Sequence, residues 1–128
     1  MIQDMDNMKN PLIDVDWLRS MQSALGAEAL SSIMNDVAEQ FAEQKAIILQ
    51  ATREGHFVDA ARGAHLLKGA FLQSGFPGPA EISVLLEEKL QNEDVSGAEQ
   101  ALTNLESTYG EARLQMESAL MLGPNDAQ

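Results

Sequence analysis

Apolar residues recur at three- and four-residue intervals through nearly the whole chain, the spacing that gathers them on one face of an α-helix. No stretch carries a convincing strand pattern, and clusters of β-branched residues are few. Asp14 or Asp16 can cap a short first helix bearing Trp17, Leu18, Met21 and Leu25, which Gly26 ends. A long helix follows from Ala27 with Leu30, Ile33, Met34, Val37, Phe41, Ile48 and Ala51 on its apolar face, and runs to about Arg53, before Gly55. The next helix spans roughly Phe57 to Ser74 and stops at Gly75-Phe76-Pro77-Gly78-Pro79. A fourth, from about Pro79 to Gln91, presents Ile82, Leu85, Leu86 and Leu90. The last runs from about Val95, behind the candidate cap Asp94, to Met121, ahead of Gly123-Pro124.

This pattern predicts an all-α fold, an up-down-up-down antiparallel four-helix bundle with a short extra N-terminal helix covering one end. Residues 1–12 read as an N-terminal arm, loose or ordered as an extended lead; residues 13–122 are the bundle and residues 123–128 a tail. No internal repeat or second domain is visible.

The segment Phe57 to Ser74 carries two stripes rather than one. Ala60, Ala61, Ala64, Leu67, Phe71 and Ser74 form a mostly apolar strip of the kind that faces a core. Arg62, His65, Lys68, Gly69 and Leu72 form a second strip on the wetter side. Gly69 stands one turn beyond His65, where glycine costs about 1 kcal/mol relative to alanine and leaves room for a close approach. Arg62 and Lys68 bracket the imidazole by three residues on either side, so two cations can face an anion brought to the ring.

Composition narrows the chemistry. Among 128 residues there is no cysteine, which excludes a disulfide framework, a thiolate metal site and a cysteine nucleophile. The start, Met1-Ile2-Gln3-Asp4-Met5-Asp6, lacks the basic head and apolar middle of a secretory signal, and no apolar run approaches the length of a membrane span; a cytoplasmic protein is expected. A net charge of −12 argues against non-specific binding to nucleic acid or to an anionic membrane. His56 lies nine residues before His65, on the opposite side of any continuous helix, so the two do not make a metal site and His56 reads as a loop residue.

Ala64-His65-Leu66-Leu67-Lys68-Gly69, then Gly75 after five intervening residues, then Leu86-Glu87, resembles the signature of the histidine-containing phosphotransfer (HPt) family of multistep phosphorelays. The likeness extends over roughly Ile13 to Leu122. It implies a phosphoryl carrier in which His65 accepts the group from a receiver-domain aspartate and passes it to another receiver. In the same reading Lys68 neutralises the phosphoryl oxygens, Gly69 gives steric clearance, and Glu87 orients the imidazole through Nδ1. The implied partners are receiver domains of hybrid histidine kinases and of response regulators. No cofactor belongs to the chain itself, Mg²⁺ being carried by the receiver, and the chain is expected to be a monomer. Three positions depart from the family's habits: Phe71 where small residues are common, Ser83 where many members have cysteine, and the proline-rich turn Phe76-Pro77-Gly78-Pro79.

Some residues admit two readings. Arg62 is either a solvated helix charge or a neighbour of the phosphate. Leu66, Leu72 and Val58 are either boundary packing or a partner-binding rim, the latter favoured most for Leu72, which shares the histidine's face. Two alternative functions remain. One is a helical adaptor that binds receivers without transfer. The other is the dimerising histidine domain of a sensor kinase, against which stand Leu66, where an acidic residue is typical, and the lack of any glycine-rich nucleotide-binding stretch.

Overall fold

The computed structural model describes residues 8–122, which contain five α-helices and no strand. They are α1 (Val15–Leu25), α2 (Ala27–Arg53), α3 (Phe57–Gln73), α4 (Pro77–Gln91) and α5 (Val95–Leu122). Residues 1–7 of the expected arm and the expected tail, 123–128, lie outside the described residues.

The helix ends follow from local chemistry. Asp14, not Asp16, caps α1: its carboxylate accepts the Trp17 N–H at 3.0 Å, satisfying one of the donors that a helix start leaves free. Asp94 does the same for α5 through the Gly97 N–H at 2.9 Å. At the end of α3 the chain turns through Gly75, at φ +84°, so that the Phe76 N–H returns to the Phe71 carbonyl at 2.9 Å. The end of α2 repeats this closure, with Gly55 at φ +76° and the His56 N–H on the Ala51 carbonyl at 2.8 Å.

One boundary differs from expectation. α4 begins at Pro77, two residues before Pro79. The first residues of a helix donate no intrahelical hydrogen bond, so prolines at the first and third positions sacrifice nothing and pre-set the backbone.

Helix α3 packs between α2 and α4, α4 packs on α5, and α5 also touches α2; α1 rests on α2. Leu30, Ile48, Ala64, Leu67, Leu86, Leu90, Leu105 and Met116 are buried at the centre. Phe71 has a physical role of its own: with Phe41, Phe76 and Tyr109 it forms an aromatic cluster with centroids 5.0 to 6.2 Å apart. Such pairs contribute about 0.5–1.5 kcal/mol beyond the area they bury. Ser83 is buried with its hydroxyl donating to the Pro79 carbonyl at 3.0 Å, so its polar atom is satisfied within its own helix. Gly63 lets α2 and α3 come close, since a Cβ there would stand 2.8 Å from Ile48 Cγ1.

The described part of the N-terminal lead is ordered against this body. Ile13 is buried, and the Asp14 N–H donates to the Gly75 carbonyl at 2.9 Å. Among the described residues no helix is long and apolar enough to cross a membrane.

Candidate functional site

Helix α3 separates its two stripes as the spacing predicts. Ala60, Ala61, Ala64, Leu67, Phe71 and Ser74 are buried, whereas Arg62, His65 and Leu72 are exposed and Lys68 and Gly69 are half-buried. Helix α4 runs beside it and offers Glu81, Val84, Glu87 and Gln91, three or four residues apart, toward the same groove.

His65 and Glu87 meet across that groove, with Nδ1 3.2 Å from Glu87 Oε1. The imidazole side chain is 60% exposed and the carboxylate 20%, so the acid is sheltered while the ring it holds remains accessible. With the proton on Nδ1 this contact is an N–H···O bond and the lone pair lies on Nε2, which has no hydrogen-bond partner among the described residues. Gln91 donates to the other Glu87 oxygen at 3.5 Å, a long contact one turn further along α4.

Gly69 stands in open space: a Cβ built there meets nothing within 4 Å among the described residues. Lys68 has no hydrogen-bond or ion-pair partner among the described residues, so its ammonium is uncommitted. Arg62 is different. Its guanidinium is tied to Asp59 at 3.3 Å on the same exposed turn, although the residue also borders the hollow beside His65.

Two hollows flank the His65–Glu87 pair. One, of about 410 Å³, is bounded by Phe57, Val58, Ala61, Arg62, Leu90 and Gln91 together with the pair itself. The other, of about 240 Å³, is bounded by Asn10, Lys68, Leu72, Pro77, Glu81 and Val84. Leu72 is 55% exposed at the second and Val58 73% exposed at the first. Leu66 is 48% exposed but borders neither hollow, which sets it apart from the other two rim candidates.

His56 takes the N-cap position of α3, exposed, with its own Nδ1 3.4 Å from Glu54. Among the described residues no group of three or more histidine, aspartate or glutamate side chains is assembled to hold a metal ion.

Sequence spacing did not reveal Glu81 or Val84 as neighbours of Lys68. Their three-residue step to Glu87 was a usable signal for Val84; the partners of Glu81 lie about seventy positions away and left no local trace. No family model, no curated protein and no solved structure matches this chain.

Proposed function

We propose that this protein is a phosphorelay carrier of the HPt type, accepting a phosphoryl group on His65 from the aspartyl phosphate of one receiver domain and passing it to the aspartate of another. The observation that carries this reading is the His65–Glu87 contact, in which an accessible imidazole is held through Nδ1 and keeps Nε2 free. The fold reading that goes with it is an up-down-up-down antiparallel bundle of α2 to α5 with α1 across one end. Its support is that each of these helices packs on the next and that three-residue connections leave little room for any other return path.

The chemistry follows from those atoms. The Nε2 lone pair attacks phosphorus, the N–P bond forms, the acyl P–O bond breaks, and its electron pair leaves on the donor's aspartate. The ring keeps its Nδ1 proton and becomes cationic, and the Glu87 carboxylate stabilises that charge through the hydrogen bond it already makes. Lys68 supplies a positive charge to the phosphoryl oxygens, and Gly69 lets the partner's backbone approach the ring. Leu72 and Val58 furnish apolar contact at the rim, with Leu66 and Arg62 at its margin. The return step reverses the same displacement. The Mg²⁺ that such transfers use belongs to the receiver, beside its aspartate. In this reading the chain has no kinase activity of its own, and works in the cytoplasm as a monomer with receiver domains as its partners.

The test is to incubate the full chain and His65→Ala with phosphorylated receiver domains and Mg²⁺, and to follow intact mass. An acid-labile, alkali-stable phosphoryl adduct on the unsubstituted chain alone is the expected result. Absence of any adduct, with helicity intact, would favour the non-transferring adaptor, and labelling by ATP alone would favour a kinase.

A further inference from the structure

The lead ahead of α1 is strapped across the start of α4 by an arrangement more elaborate than a chain terminus requires. The Glu81 carboxylate accepts four hydrogen bonds from two consecutive residues: the Lys9 N–H at 3.2 and 3.0 Å, the Asn10 N–H at 3.0 Å and the Asn10 side-chain amide at 2.8 Å. Gly78 makes room beneath it, since a Cβ there would stand 2.9 Å from Leu12 Cα and 3.0 Å from the Pro11 carbonyl oxygen. The Asp14 N–H on the Gly75 carbonyl fixes the far end.

The strap ends at the site. Asn10 shares the second hollow with Lys68, Leu72 and Val84, so the lead forms one wall of the groove that runs from His65 along α3 and α4. Charge adds a second, independent argument. Lys45, Arg62, Lys89 and Arg113 are ion-paired, whereas among the described residues Lys9, Arg19, Arg53 and Lys68 have no carboxylate on their charged groups. In a chain of net charge −12, two of these four uncommitted cations belong to the elements bordering this hollow, Lys68 on its wall and Lys9 next to Asn10.

We infer that Lys9 and Asn10 are part of the partner-docking face, that Glu81 is the positioning residue that holds them there, and that the occupant is the receiver domain around its anionic aspartyl phosphate. This inference rests on the proposed phosphorelay function. The receiver's site gathers carboxylates and a phosphoryl group, and complementary charge at a rim acts chiefly on association. The lead then selects among receivers without touching the reacting nitrogen.

The experiment compares the full chain with Glu81→Ala, Lys9→Ala and Gly78→Ala. Each is loaded from the receiver domain that labels the unsubstituted chain best and, separately, from phosphoramidate, a small donor that needs no docking. The expected result is a rise of about fivefold in half-saturating receiver concentration for Glu81→Ala and Gly78→Ala, with a smaller rise for Lys9→Ala. The plateau rate and phosphoramidate labelling should stay unchanged. Lys9→Ala alters only an exposed side chain, so it remains informative if the other two unfold. Unchanged half-saturation in all three overturns the inference and leaves the proposed function standing. A parallel fall in phosphoramidate labelling overturns it too, by placing the effect at His65. Failure of every receiver to label the unsubstituted chain removes the proposed function, and the inference with it.

Discussion

Gly63 and Gly69 sit on one helix, six residues apart, and the same substitution should act on them with opposite sign. Gly69→Ala places a methyl group where nothing lies within 4 Å, on a backbone that is already helical, so only the propensity gain of about 1 kcal/mol remains. For a chain of 128 residues that corresponds to a rise in Tm of about 4 °C. Gly63→Ala earns the same propensity gain but drives its methyl group to 2.8 Å from Ile48 Cγ1 and 3.1 Å from Gln44 Oε1. Ile48 is fully buried, and overpacking of that kind costs about 1–3 kcal/mol, so the net effect is a loss of about 1 kcal/mol. Urea or thermal unfolding followed by far-ultraviolet circular dichroism measures both. Function should separate in the reverse order: Gly69→Ala, though more stable, should load from a phosphorylated receiver about tenfold less efficiently while phosphoramidate labels it normally. Gly63→Ala should load at the ordinary rate wherever it is folded. Destabilisation by Gly69→Ala would refute the open geometry, and full loading from receivers would refute its role as clearance.

Tyr109 is buried in the aromatic cluster with a hydroxyl that has no hydrogen-bond partner among the described residues, and burial raises its pKa above 10.0, with Arg113 opposing and Glu117 adding to the shift. The unfolded chain therefore loses this proton first, so stability should fall as pH rises through about 10. Tyr109→Phe should remove that slope and, by deleting an unpaired hydroxyl, leave stability at neutral pH equal or about 1 kcal/mol higher in urea titrations. Glu87→Ala releases the imidazole, and labelling from receivers and from phosphoramidate should fall together by about tenfold, unlike the receiver-selective loss at Gly69. Gly75→Ala forces a side chain into a φ of +84° and to 2.5 Å from the Trp17 ring, and should lower unfolding free energy by about 2 kcal/mol or more. An unaltered midpoint in that variant would refute the description of the turn.

What could be read in advance was what depends on near neighbours in the chain. The two stripes of α3 follow from three- and four-residue spacing, and the helix ends from Gly26, Gly55 and Gly75, whose positive φ values other residues rarely adopt. The start of α4 lies two residues before the expected one because Pro77-Gly78-Pro79 looks like a breaker, although both prolines fit a first turn. Long-range partnerships left no such trace. Nothing near Glu81 in sequence indicates that it receives Lys9 and Asn10, whereas the Arg62–Asp59 pair, three residues apart on one helix face, was within reach of the spacing. Gln22 and Thr108 lie at interior positions without partners for their side-chain polar atoms among the described residues, a choice that polarity alone argues against.

A phosphoryl group on His65 should move onward rather than merely arrive. The direct measurement is to load the protein from one receiver, free it of donor, and mix it with Mg²⁺ and a second, unphosphorylated receiver while following both masses and locating the modified nitrogen by ³¹P NMR. The expected result is a phosphoryl group on Nε2 of His65 that disappears from this chain as it appears on the receiver's aspartate, and no transfer with His65→Ala. A phosphoryl group on another residue, or one that leaves only by hydrolysis with every receiver tried, would contradict it.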